Sequence, residues 1–212
     1  MSNYQLVEQL YRLYKTAEQE SQRLAILQAL GRMGVWATTR LEQALYDACP
    51  AVRTEAAKLL GDIPDWGSTN HLLRMLQHDS APICRATAAV ALGKLFQPFV
   101  PEIPPLNHDG YWAGYFKKEV PAQLVRALLT DESYRVRAAA ARGLAHLGNK
   151  ENAKHLAVAL KDEDHEVRAA AALALGTLKV FPYIGEVGRL MHDPHPEVRR
   201  AAQEAVQALE SY

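Results

Sequence analysis

Apolar and polar positions alternate with a helical period along almost the whole chain, and the amphipathic stretches come in pairs. The first member of each pair reads YQLVEQLYRLYK, TTRLEQALYDA, TNHLLRMLQHD, PAQLVRALLTD, ENAKHLAVALKD or IGEVGRLMHD. Each has apolar residues, alanine included, at i, i+3 and i+4 spacing, which puts one apolar stripe on a helix. A second stretch rich in alanine and leucine follows each, after a short polar turn. The pattern predicts six helical hairpins.

The second stretches align with one another without gaps. PAVRTEAAKLLGDI, PICRATAAVALGKL, YRVRAAAARGLAHL, HEVRAAAALALGTL and PEVRRAAQEAVQAL share an arginine at the fourth position, and SQRLAILQALGRM is a looser first copy. The arginines fall at 23, 53, 85, 137, 168 and 199, at intervals of 30, 32, 52, 31 and 31. An aspartate stands six residues before five of them: Asp47, Asp79, Asp131, Asp162 and Asp193. The first copy has Ala17 there, a departure typical of a terminal repeat. Together these give repeats over about 4–33, 38–63, 68–95, 119–147, 150–178 and 182–209, all in one domain. The spacing predicts an all-α array in which Pro50, Pro82 and Pro196 open second helices. It also predicts that Gly31, Gly61, Gly93 and Gly176 close them in a left-handed conformation. The paired alanines three and four residues after each arginine (Ala56 and Ala57, Ala88 and Ala89, Ala140 and Ala141, Ala171 and Ala172) are small enough for hairpins to stack closely.

An arginine and an aspartate in fixed register are read as a structural ladder: Asp47, Arg53, Asp79, Arg85, Asp131, Arg137, Asp162, Arg168, Asp193 and Arg199. The aspartate can cap the following helix, or pair with the arginine of its own or of a neighbouring hairpin. The polar face of the last helix, with Arg199, Arg200, Gln203, Glu204, Gln207 and Glu210, reads as a cap.

One interval is long by about 21 residues. The excess, FQPFVPEIPPLNHDGYWAGYFKKEVP, defines an insertion at 96–118. Pro98, Pro101, Pro104, Pro105 and Pro121 argue against a continuous helix through it. Phe96, Phe99, Tyr111, Trp112, Tyr115 and Phe116 argue against a plain linker. Phe96 and Phe99 are expected to pack inward over the seam. Tyr111, Trp112, Tyr115 and Phe116 are candidate partner contacts, since aromatics on a loop supply the contact area of binding hot spots. His108 and Asp109 beside Gly110 form a turn. The weakest coupling in the array is expected at this break, with protease cutting first between Gln97 and Lys118. A second candidate surface follows from the register: positions one and five after each arginine share a face, which includes Val90, Arg142 and Leu173.

Composition narrows the function classes. Lysine plus arginine and aspartate plus glutamate both total 24 in 212 residues, so no bulk positive field draws nucleic acid or an anionic membrane. The opening MSNYQLVEQLYRLYK carries Glu8 and Arg12 and no long apolar core, so a cytoplasmic protein without a membrane anchor is expected. Cys49 and Cys84 lie outside any C-x-x-C pair. His165-Glu166 precedes its arginine, and His192-Asp193-Pro194-His195 falls in a proline-containing turn, so neither defines a ligand geometry. No nucleophile elbow, papain-like cysteine signature or phosphate loop is present. No catalytic residue, metal or cofactor is expected.

The segments that carry D-x-x-x-x-V-R-x-x-A-A-x-A-L-G resemble the HEAT-like repeats of the phycobilisome-lyase type. The resemblance covers residues 38–95 and 119–209, and 4–33 less closely. It implies a HEAT-like solenoid, a right-handed α-α superhelix of six hairpins, and a family that includes bilin lyase subunits, a di-iron hydroxylase and many scaffolds. The hydroxylase branch carries His-Glu after the repeat arginine; here those places hold Thr54-Glu55, Ala86-Thr87, Ala138-Ala139, Ala169-Ala170 and Arg200-Ala201. The reading is therefore a non-enzymatic scaffold or adaptor that binds another protein through its concave face and aromatic insertion. The alternative implied by the resemblance is a chromophore-handling protein, with a tetrapyrrole on Trp112 or Tyr111, Asp109 or His108 at its pyrrole nitrogens and Arg142 at a propionate.

Overall fold

In the computed structural model, which describes residues 2–96 and 111–211 and only the backbone of 111–114, six helical hairpins stack into an open array. The hairpins are α1 (Asn3–Thr16) with α2 (Glu20–Gly31), α3 (Thr38–Ala44) with α4 (Pro50–Asp62), and α5 (Thr69–His78) with α6 (Pro82–Leu95). They continue with α7 (Tyr111–Thr130) and α8 (Tyr134–Leu147), α9 (Ala153–Ala159) and α10 (His165–Thr177), and α11 (Ile184–Arg189) and α12 (Pro196–Glu210). Short 3-10 turns lead into α3, α5, α9 and α11. Among the described residues there is no strand, and no helix is long and apolar enough to cross a membrane.

Pro50, Pro82 and Pro196 sit in the first turn of α4, α6 and α12, where the missing N–H was not going to be bonded within the helix. The expected role of Gly31, Gly61, Gly93 and Gly176 is overturned. All four are helical, and left-handed backbone occurs instead at Gly34, Lys179 and Gly148, the last of which ends α8 at φ 68°. Their work is steric. A Cβ on Gly61 would lie 2.7 Å from the Ala91 Cα, one on Gly176 2.8 Å from the Ala205 Cα, and one on Gly93 2.5 Å from the Gly143 oxygen. Eight residues after the marker arginine, five second helices thus carry glycine or Ala145; α12 carries Gln207.

The paired alanines at the crossing points are fully buried, and consecutive second helices pack along their length. First helices touch one another much less. Second helices thus pack more closely than first helices, the arrangement that in a solenoid puts them on the inner, concave side.

At the junction of repeats three and four, α6 and α8 make the most extensive helix-to-helix contact among the described residues. The expectation of weakest coupling there is wrong. The extra residues leave after α6, and α7 rebuilds a complete hairpin behind them, so Gly93 and Gly143 still bring α6 and α8 together backbone to backbone. The Trp66 ring stacks on Phe96 at 5.1 Å between centroids, Phe96 meets Phe116 edge-on at 6.4 Å, and the Trp66 Nε1 donates to the Leu95 carbonyl at 3.0 Å.

The insertion is also shorter than the prolines implied. Residues 111–118 are helical, the start of a twenty-residue α7 that runs through Pro121. Pro98, Phe99, Pro101, Pro104, Pro105, His108 and Asp109 lie outside the described residues. Pro121 leaves the Lys117 carbonyl without its usual helical donor, which neighbouring hairpins tolerate but do not require. Pro121→Ala is expected to stabilise the fold, by up to about 3 kcal/mol, read as a higher denaturant midpoint.

Candidate functional site

Two groups of register positions come together in different ways. The first is the polar ladder in the turns between helices. Each of the four inner arginines reaches forward to the aspartate of the next hairpin with both Nε and Nη2: Arg53 to Asp79 at 2.7 and 2.8 Å, and Arg85 to Asp131 at 2.9 and 2.9 Å. Arg137 does the same to Asp162 at 2.8 and 2.8 Å, and Arg168 to Asp193 at 2.8 and 2.9 Å. The remaining Nη1 donates to the carbonyl of the hairpin's own aspartate, as Arg53 does to Asp47 at 2.9 Å. Each aspartate in turn accepts the backbone N–H two residues on, as Asp79 does from Ala81 at 2.9 Å. One residue pair therefore tightens its own turn and bolts it to the next.

The ladder is incomplete at both ends. Arg23 approaches Asp47 only to 3.8 Å, its buried Nε finds no partner, and the Tyr14 hydroxyl donates to Asp47 instead. Burial, the hydrogen bond to Asp47 and its charge hold the Tyr14 proton far more tightly than usual. Arg199 keeps only the contacts within its own hairpin, Nη1 to the Asp193 and Pro194 carbonyls at 2.8 and 2.9 Å.

The paired guanidiniums of Arg53, Arg85, Arg137 and Arg168 hold their protons more firmly than a free arginine, chiefly through the hydrogen bonds to the carboxylates. Burial pushes Asp79 up, but Arg53 and the Ala81 N–H outweigh it and the net shift is downward. Asp193 is lowered by Arg168 first, against a smaller effect of burial. Both carboxylates therefore stabilise the fold above their unfolded value of about 3.9, and that contribution disappears as pH falls through their lower folded values. His146 and His155 are shifted down, by burial first and then by neighbouring cations. Because the unfolded chain binds protons there more readily, stability starts to decline below about pH 6.5. Denaturant midpoints should fall gently from pH 7 to 5 and steeply below about 4, with Asp193→Asn flattening the second stage.

The second group lies on the concave side. Arg142, Ala145 and His146 of α8, Ala169, Ala170, Leu173 and Ala174 of α10, and Glu197 of α12 surround a depression of 480 Å³. Leu173, in its lining, is 37% exposed. Arg142 reaches solvent and makes no ion pair or hydrogen bond among the described residues. The curved wall desolvates it and lowers its pKa, opposed by the charge of Glu166. At the other end the His165 Nε2 lies 3.3 Å from the Glu197 Oε2, and the His165 and His195 rings stack at 4.3 Å. Val90, half-buried on α6, belongs to the same inner surface one hairpin away, outside this depression. Asp193 is committed to Arg168 and the His195 N–H, so the histidine-rich turn has no carboxylate to spare.

The aromatic candidates divide. Phe116 is a correction: it is 5% exposed, packed between Phe96 and Tyr115, and belongs to the core because the helical start of α7 turns it inward. Tyr115 is 44% exposed. Tyr111 and Trp112 begin α7, and their side chains lie outside the described residues.

A polar cluster on the outer side had no sequence signal, since it depends on the approach of α3 and α5. The Tyr46 hydroxyl lies 3.0 Å from the His71 Nδ1, the His71 Nε2 lies 3.8 Å from the Glu42 Oε2, and the Ser68 hydroxyl donates to the Glu42 Oε1 at 2.9 Å.

Comparison with known proteins bears on the fold. The chain superimposes on the Escherichia coli protein YibA with a TM-score of 0.67 at 21% identity, over 100% of this chain and 78% of that one. It also matches a chain of the complex of CpcE and CpcF of phycocyanin lyase from Nostoc sp. PCC7120, with a TM-score of 0.64 at 23% identity over 79% of this chain and 96% of that one. A designed armadillo repeat protein in complex with the peptide (KR)4 gives 0.58 at 18% identity, over 99% and 100% of the two chains. No curated protein matches the chain at the sequence level. At these identities the solved structures share the solenoid architecture with this chain. The family model for HEAT repeats matches residues 3–95 and 121–207, which contain all the Asp-to-Arg pairs of the ladder, and the chain belongs to the HEAT repeat family.

Proposed function

We propose that this chain is a non-enzymatic scaffold of the cytoplasm that holds a segment of another protein against its concave face, with Tyr115 and the start of α7 at the edge. The observation that carries the reading is the depression on α8, α10 and α12, where an exposed Leu173 and an unpaired Arg142 face inward on a rigid stack. Rigid second helices present such a surface with little ordering cost on binding, which is how solenoids recognise extended or helical segments.

The test is quantitative capture of binding proteins from native lysate. Leu173→Arg combined with Val90→Arg is expected to reduce the specific captured protein by tenfold or more while the helical circular dichroism stays unchanged, and Tyr115→Ala to reduce it by less. Undiminished capture by the concave-face variant would overturn the reading. A new visible absorbance band on mixing with phycocyanobilin, lost with Arg142→Gln, would favour chromophore handling in its place.

A further inference from the structure

The ladder arginines Arg53, Arg85, Arg137 and Arg168 have filled forks, whereas Arg142, inside the concave curve, has an empty one. Arg53, Arg85, Arg137 and Arg168 each spend two nitrogens on a carboxylate and a third on a carbonyl. Arg142 has the same chemistry, and no hydrogen bond or ion pair among the described residues occupies it. Desolvation there works against its charge. Because Arg142 is exposed, an arriving anion can reach it without displacing a protein partner. A guanidinium offers parallel N–H groups in a plane, which a carboxylate matches.

The surroundings restrict what can carry that carboxylate. Beside Arg142 the floor is Ala169, Ala170, Leu173 and Ala174, a small apolar patch with a leucine standing partly free. Two carboxylates also line it: Glu166, in the first turn of α10 and near enough for its charge to act on Arg142, and Glu197 of α12, 3.3 Å from His165. The depression therefore sets one guanidinium on α8 against two carboxylates, one on α10 and one on α12. A tract of several acidic residues would meet repulsion from them.

We propose that the depression takes a peptide segment of a partner protein that carries one aspartate or glutamate on an otherwise apolar stretch, its carboxylate on Arg142 and its apolar side chains on Leu173 and the alanines. This rests on the concave-face reading and specifies the partner's chemistry. The geometry supplies an orientation as well as a residue type: the acidic residue lies toward α8, and the segment runs on toward α12 without a second acid.

The test is to pan a random twelve-residue peptide library displayed on phage against the full chain and against its Arg142→Gln and Arg142→Glu variants. Arg142 carries no internal contact to lose, so both variants should keep the wild-type circular dichroism. The wild type is expected to enrich sequences with a single Asp or Glu among apolar residues. The best of these, synthesised and followed by fluorescence polarisation, should bind Arg142→Gln at least tenfold more weakly and Lys154→Gln, an exposed cation on the first helix α9, equally well. Arg142→Glu should enrich Lys or Arg in place of the acid. Enriched peptides that are neutral, basic or polyacidic, or that bind Arg142→Gln as tightly as wild type yet are lost in Leu173→Arg, overturn the inference and leave the concave face as the docking surface. If the wild type enriches no peptide, or decanoate binds in an Arg142-dependent way while peptides do not, both readings fall.

Discussion

Asp131→Ala is expected to lower the unfolding free energy by about 3 kcal/mol, the low end of the cost of stranding a buried charge. Arg85 is 8% exposed and gives Asp131 two hydrogen bonds of 2.9 Å, while its other contacts, to the Asp79 carbonyl at 3.0 Å and to Glu132 at 3.4 Å, cannot replace them. The low end applies because the pair sits in a turn, where water can re-enter once the carboxylate is gone. Asp131 also caps its own turn through the Ser133 N–H at 2.9 Å. Urea unfolding followed by circular dichroism reads the loss. If stranded charge is the cause, Arg85→Met with Asp131→Leu should be less damaging than Asp131→Ala alone. A double variant as unstable as the single one would place the cost in the lost turn cap.

Gly93→Ala is expected to be about as damaging, by about 3 kcal/mol, or roughly 10 °C in Tm for a chain of this size. The added Cβ would sit 2.5 Å from the Gly143 oxygen and 2.6 Å from its Cα. These are backbone atoms, which cannot rotate aside, so α6 and α8 must part along the contact that joins the halves of the array. Gly185→Ala is the control. Nothing lies within 4 Å of a Cβ at Gly185, and a helical alanine there should add about 0.5–1 kcal/mol. Thermal melts of the two variants should move in opposite directions.

These two sites show what the residues disclosed and what they withheld. The hairpins were legible because each buries one stripe of a helix, and a stripe is a local property of spacing. The partnership of Arg53 with Asp79 rather than with Asp47 was not, because both aspartates stand at fixed offsets and only the rise from one hairpin to the next decides which lies within reach. Gly93 looked like a helix stop from its place near the end of an alanine-rich run; its neighbour Gly143 comes from 50 positions further along, and no local pattern shows that the two backbones touch. Pro121 argued against a helix that forms anyway, since packing of Val120, Leu124 and Leu128, all essentially buried, outweighs one missing hydrogen bond. For the concave site, Arg142 and Leu173 were legible as sharing a face. The emptiness of the Arg142 fork was not, since that depends on which carboxylates the curve brings near it.

The unequal first and last repeats of the ladder also bear on how repeats of this kind can stack. Stacked one on another in the register the repeats use internally, two copies would bring Arg199 to Ala17, a cation with no carboxylate to hold. They would also place the Gln207 side chain where the interior helices have glycine or alanine. A contact of this head-to-tail kind does not close on itself, so wherever it is favourable it repeats without limit and draws a protein into fibres. Ala17 and Gln207 break the register that such stacking needs: a methyl group where an anchor belongs, and an amide where the other second helices carry glycine or alanine.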